Sequence, residues 1–308
     1  MRKLLLFTTV LVVALGGVAL LAQAMDLETA LSFFVNDQIM IEYSDAGKAQ
    51  LEEIIVAMKV GVGAPDNRNE DSEEAVGALV IDLSLKEVVN KLSQAYYTLA
   101  NVFTENDEEG YPIFRAGKHW GFKSLRMNPE FNDQTGGRFD DSVAAETDIR
   151  ALYWMNANWL RASKENKMAA VFAGVPAKSE MLTNRVLGLD PTFTSGGPYR
   201  SFGGYYEQLP GLFGRDVQLA LYYLCHVVDE PDFCSGTDAG EMVPDASAYF
   251  ENRTFFAEYY LMPEGHWEDA ARVLQSVLDD EIGETYTLMN AYSQAYAQQL
   301  LEEVSEHL

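Results

Sequence analysis

Apolar positions recur along most of this chain at the three-and-four spacing of an amphipathic helix, not at the alternate spacing of a half-buried strand. The clearest case is residues 84–103, where Val88, Leu92, Ala95, Tyr96, Leu99, Ala100 and Phe103 fall on one stripe. Ser84 stands where an N-cap belongs, and Glu87 three residues later would complete a capping box. Asn106, Asp107 and Gly110 mark a turn, and a second helix over 111–127 ends at Asn128-Pro129. The same period predicts an N-terminal helix within 25–44 and another after Ser44 or Asp45 that carries Leu51, Ile54, Ile55 and Met58. Further helices are expected over 143–162, 177–188, 216–228, 246–261, 267–278 and 284–308. One more should open at Gly196-Gly197-Pro198 and end at Pro210. Residues 63–77 read as an acidic surface loop. The strand-like piece VGALVIDL, 76–83, has neighbours that argue for helix or loop.

The chain is organised around residues 148–193. Ile149, Leu152, Tyr153, Ala157 and Leu160 stack on one side of a central helix, with Trp154 and Trp159 near the same ridge. Asn156 and Asn158 interrupt this apolar run, and buried amides need partners from a neighbouring helix, water or a ligand. One motif occurs twice: LRMNPEF at 125–131 and LGLDPTF at 187–193. In each, proline stops a helix and phenylalanine packs back onto it. Stacked hairpins of this kind build a superhelix with a concave face. The match to the 34-residue tetratrico repeat is partial and needs a five-residue insertion near LPGLF. The expected fold is all-α, with degenerate tetratrico-like helix hairpins stacked into a compact superhelical array.

Composition adds a compartment. The first 24 residues combine Arg2 and Lys3, an apolar run from Leu4 to Leu21 and the small-x-small site Ala22-Gln23-Ala24, which reads as a secretory signal peptide. The run is also near bilayer length, so an uncleaved N-terminal anchor is the alternative. Residues 25–308 are then one helical repeat domain, or two close-packed halves, outside the cytoplasm. Losing Arg2 and Lys3 moves the formal net charge from -25 to -27. Such a surface repels nucleic acid and anionic lipid.

Candidate chemistry is sparse. Cys225 and Cys234 would close a short disulfide loop in an oxidising compartment, or are two small buried side chains. The histidines, 119, 226, 266 and 307, show no metal spacing, so no metal and no cofactor is expected. Phosphate-loop, dinucleotide, HExxH and GxSxG signatures are absent from the sequence, and the chain is not read as an enzyme. Tyr153, Trp154, Trp159, Tyr199, Phe202 and Tyr205 either line an apolar ligand path or fill an ordinary core. Tyr206 faces the same choice. Arg150, Arg161 and Arg200 are scarce cations in an acidic chain. Arg150 and Arg200 are the candidates for receiving a carboxylate, with structural ion pairs as the alternative.

Three blocks in order carry a resemblance: ALYWMNANWL (151–160), VLGLDPTFTSGGPYRSFGGYYEQLPG (186–211) and GRDVQLALYYL (214–224). Together with FFAEYYLMPEGHWEDAARVLQSVLDDE near the end, they resemble the T component of TRAP-type (tripartite, ATP-independent, periplasmic) transporters. The resemblance runs from about Ser44 to the C-terminus. It implies an extracytoplasmic, periplasmic all-helical protein that docks the solute-binding subunit of such a transporter. It further implies an apolar channel for a small organic ligand and assembly as a homotrimer. The chain departs from the familiar lipoprotein form in lacking a lipobox cysteine. A general periplasmic scaffold without a ligand channel is the alternative. A continuous internal channel would favour the transport reading, and a filled core with an outer groove the scaffold.

Overall fold

The computed structural model describes residues 25–66, 71–133 and 137–308. The expected signal peptide, 1–24, lies outside these residues. The described chain is almost entirely helical, and its one sheet is a two-residue ribbon, β1 (Phe34–Val35) against β2 (Gln38–Ile39).

That ribbon corrects the expected N-terminal helix. α1 (Leu27–Ser32) lasts six residues before the chain reverses through Asn36 and Asp37, both at positive φ. Asn and Asp tolerate the left-handed conformation that a tight hairpin turn demands, so local turn chemistry overrides the helical period here. The turn is held from outside. Arg150 grips the Asp37 carboxylate through Nε at 2.5 Å and Nη2 at 2.9 Å, and Gln94 Nε2 donates to Asp37 O at 2.6 Å.

α2 (Asp45–Gly61) is capped by Ser44, as its sequence suggests. The stretch read as an acidic surface loop holds α3 (Glu73–Ala78) and a buried carboxylate, Asp71. Asp71 pairs with the buried Lys59 at 2.9 Å and accepts from Trp120 Nε1 at 3.2 Å and from the Tyr96 hydroxyl. His119 Nδ1 meets the Asp71 carbonyl at 2.8 Å, so His119 is a packed helix residue. α4 (Lys86–Phe103) does not form the expected capping box. Asp82 caps a 3-10 turn at Leu83–Leu85 instead, and Glu87 bonds to Lys91 Nζ at 2.7 Å.

α5 (Asp107–Arg126) returns antiparallel to α4. The single helix expected over 143–162 is two: α6 (Phe139–Ala145) and α7 (Ile149–Ser163). Glu146 breaks them apart because its Oε1 accepts from the backbone N–H groups of Thr147 and Asp148, and Asp148 then caps α7. α8 (Lys167–Phe172) and α9 (Val175–Leu189) follow. The two copies of the proline motif make the same turn. Asn128 and Asp190 each accept a backbone N–H two residues on, at 3.0 and 2.8 Å, and Phe131 and Phe193 are both buried.

α10 (Phe193–Gln208) begins three residues before the expected Gly196 and is left-handed through Thr194, Ser195 and Gly196. α11 (Val217–Leu224) leads to the four-residue α12 (Pro231–Cys234), and Cys225 is disulfide-bonded to Cys234. α13 (Glu251–Phe256) runs into a π-helical turn at Ala257–Leu261, followed by α14 (Trp267–Asp279) and α15 (Thr287–Ser305).

Three apolar clusters hold these elements. One gathers α2, α4 and part of α5, a second gathers α5, α7 and α9, and a third gathers α11, α13, α14 and the end of α15. α15 spans two of them: Leu288 joins the first, while Ala297, Leu300 and Val304 join the third. The space left between the clusters is where the candidate site lies.

Candidate ligand cavity

α7 supplies one wall. Tyr153, Ala157, Leu160, Arg161 and Lys164 line a mostly apolar, partly open cavity of about 140 Å³. They share a face because a helix turns about 100° per residue. Trp159, six residues from Tyr153, therefore points away. It packs between Phe122 and Phe139 at centroid distances of 5.2 and 6.4 Å, in the α5–α7–α9 cluster. Trp154 lies between the two directions and lines a smaller cavity of about 30 Å³ with Tyr97, Tyr153, Arg200 and Glu251. Its Nε1 is buried without a hydrogen-bond partner.

α10 supplies the facing wall through Arg200, Ser201, Gly204, Tyr205 and Gln208. Phe202 and Tyr199 lie off this face. Phe202 stacks on Tyr223 at 4.5 Å and on Tyr206 at 5.7 Å, and Tyr199 stacks on His226 at 4.2 Å. Of the six aromatic candidates, Tyr153, Tyr205 and Trp154 border cavities, while Trp159, Phe202 and Tyr199 are packed among other rings.

The π turn after α13 completes the enclosure. Glu251, Phe255 and Tyr259, spaced four apart and so on one helical face, all reach the apolar cavity, while Thr254 and Glu258 reach a neighbouring polar cavity of about 730 Å³. These two cavities share Arg161, Lys164, Glu251 and Phe255 as walls. The apolar cavity and the small one share Tyr97, Tyr153, Arg200 and Glu251. The three spaces thus adjoin around Glu251.

The cations of the site differ in how they are engaged. Arg200 is buried and occupied inside the chain. Its Nε faces Glu251 Oε2 at 3.3 Å, Nη1 donates to Asn252 Oδ1 at 2.6 Å and Ser195 O at 3.0 Å, and Nη2 donates to Thr194 O at 2.9 Å. It holds the carbonyls of the left-handed turn, a conformation non-glycine residues adopt only when the surroundings enforce it. The carboxylate Arg200 receives is Glu251. Arg150 sits at the ribbon turn, paired with Asp37, and does not border the three cavities described.

Arg161 is differently placed. Its guanidinium lies over the Phe114 ring at 5.2 Å, its Nε is buried without a partner, and its nearest carboxylate is Asp107 at 3.9 Å. Lys164, one turn on, meets the Tyr259 hydroxyl at 3.3 Å, and burial with the neighbouring Arg161 lowers its ammonium to about 8 although the Glu258 charge opposes the shift. Burial also raises Glu258 above the usual glutamate range and Tyr205 to about 12. Lys164, Tyr97, Glu251 and Tyr259 were not anticipated from the sequence. Lys164 was within reach, since extending the Tyr153–Ala157–Leu160 face by one turn arrives there. Tyr97, Glu251 and Tyr259 come from distant helices and carry no local signal.

Among the described residues, no group of His, Cys, Asp and Glu could hold a metal ion, and no helix is long and apolar enough to cross a membrane. Fold and cavities together define an almost entirely helical protein with a set of adjoining, partly open cavities. The TRAP transporter T-component family profile matches residues 131–307, more than half of the chain, and the chain belongs to that family. Its members are non-catalytic auxiliary proteins of transport, and this chain is accordingly not an enzyme. A search of curated proteins finds no match to this chain.

Proposed function

We propose that the protein is an extracytoplasmic, periplasmic component of a TRAP-type transport system that docks the substrate-binding subunit and holds or passes a small, partly apolar ligand. The observation that carries this reading is the mostly apolar, partly open space of about 140 Å³ between α7, α10 and the π turn. A mostly apolar cleft with a few convergent polar groups is the usual setting of a small-molecule site. It favours the transport role over a repeat scaffold with a filled core.

Docking has its own support at the cavity's edge. Phe172 and Leu212 are 80% and 96% exposed, and Met168 and Phe213 are also exposed. They flank Lys167, Val171 and Pro210, which line the cavity. Exposed apolar side chains at a cavity rim suit a partner that covers it. The reading also takes residues 25–308 as one domain of tetratrico-like hairpins that assembles as a homotrimer.

Affinity capture with residues 25–308 from a periplasmic extract, read by mass spectrometry, tests the docking role. Enrichment of a TRAP substrate-binding subunit, lost on Phe172→Ser with Leu212→Ser, is the expected result. Retention of no such subunit under mild, low-salt washing would remove it.

A further inference from the structure

We propose that the polar cavity of about 730 Å³ beside α15 is a second binding site, and that it receives an uncharged saccharide. This site is separate from the apolar cavity and does not depend on what that cavity holds.

Three observations define the guest. First, the charges around this cavity disfavour an ion of either sign. Asp45, Glu105, Asp107 and Glu109 are exposed at its rim, against one lysine, Lys48, so an anion is repelled there. Arg161 and Lys164 line its inner end and repel a cation. These two are already balanced within the chain. The Glu258 charge bears on both, and its carboxylate accepts from the Tyr259 and Tyr296 hydroxyls. An ionic guest would lose its hydration without meeting an unused counter-charge on the inner wall. A hydroxyl suits such a mixed lining, because it donates to carboxylates and accepts from ammonium and amide groups.

Second, one polar side chain of the wall lacks a partner. Asn101 is 6% exposed and lines the cavity, and its Nδ2 makes no hydrogen bond among the described residues. Buried amides normally find partners, and a guest oxygen would supply one.

Third, the cavity has an aromatic side. Tyr43, Phe103, Tyr292 and Tyr296 all line it. Tyr292 and Tyr296, one turn apart on α15, lie parallel at a centroid distance of 5.8 Å, and Tyr43 meets Tyr292 edge-on at 6.1 Å and Phe103 at 6.0 Å. Tyrosine joins an apolar ring to a polar tip. A pyranose has the same two characters, with hydroxyls around its edge and C–H groups on its faces. Amides and carboxylates suit the edge, and aromatic rings suit the faces.

Saturation-transfer NMR, with affinities from calorimetry, tests the site on the purified chain. The neutral probes are glucose and N-acetylglucosamine. The charged probes are glucuronate and 6-amino-6-deoxyglucose, which keep the ring and change one position. At least one neutral sugar is expected to bind about tenfold tighter than both charged probes. Asn101→Ala and Tyr292→Ala should each weaken it about tenfold. Gln299→Trp, an exposed substitution that obstructs the cavity, should do the same without touching the core. Circular dichroism confirms that each variant folds. Ala157→Trp, in the apolar cavity, should leave sugar binding within about twofold, so the two sites fail or stand separately. Binding of neither neutral sugar at about 10 mM would overturn the proposal. Equal affinity for a charged probe would overturn it too. Sugar binding that survives Gln299→Trp, or that only Ala157→Trp abolishes, would place the guest elsewhere and overturn the assignment.

Discussion

The side-chain oxygen of Asn158 stands only 2.3 Å from where a Cβ on Gly117 would be. This close approach sets the contact between α5 and α7. Asn158 Nδ2 donates to Ser93 O at 2.9 Å, Ser93 Oγ at 3.2 Å and Trp154 O at 2.8 Å, while Ser93 Oγ donates to Gly117 O at 2.9 Å. Gly121, one turn on, meets Met155 at 2.5 Å in the same way. Gly117→Ala should therefore lower stability by about 2 kcal/mol, since a closely packed site must shift to admit the methyl group. Urea unfolding would read this as a lower midpoint at unchanged slope. The double variant Gly117→Ala/Asn158→Ala should be less destabilised than the two single changes summed, because truncating Asn158 removes the side chain that the new methyl group would strike.

Arg200 and Glu251 form a buried pair, with side chains 3% and 8% exposed. Arg200→Met leaves Glu251 uncompensated and frees the carbonyls of Thr194 and Ser195. A loss of about 3–5 kcal/mol is expected in chemical unfolding. A loss below about 1 kcal/mol would show that the left-handed turn holds without its clamp.

Cys225 and Cys234 close a loop with a sequence separation of 9. Chain-entropy arguments assign such a crosslink about 2.5 kcal/mol. Thermal unfolding of the double serine variant should begin below that of the oxidised wild type. Adding reductant should lower the wild-type transition and leave the variant unchanged.

His119 and His226 are both held below the usual histidine value of 6.5, by burial first and in spite of backbone hydrogen bonds that oppose it. A folded state that resists protonation binds fewer protons than the unfolded chain in the window below 6.5. Stability is thus full above that value and falls as pH drops through the window. His119→Asn, which keeps a donor near the Asp71 carbonyl, should flatten that fall, as measured by urea midpoints from pH 7.5 to pH 5.

Local periodicity reached much of this structure and little of its centre. Helices 4, 5, 9, 14 and 15 follow from apolar stripes and proline stops, because those signals act within one element. The ribbon at Asn36–Asp37 and the break at Glu146 escaped because a few polar side chains outbid the helical period locally. Buried Asp71 escaped because nothing separates it, in sequence, from the other acids of its loop. Among the cavity candidates, Tyr153 and Tyr205 were found and Trp159 and Phe202 were grouped with them, although the 100° step of a helix already sets them apart. Glu251, Phe255 and Tyr259 share one face through their four-residue spacing, but nothing in that spacing tells which distant helix the face meets.

The central claim is that the space between α7 and α10 holds a small ligand. Chain exported to the periplasm and purified in two forms, wild type and Ala157→Trp, can be compared by native mass spectrometry and solvent extraction. Ala157 lines the cavity, and an indole there would obstruct the space between α7 and α10. A small molecule retained by the wild type and absent from the folded variant is the expected result. The same molecule retained equally by both forms, or none retained by either, would contradict the claim.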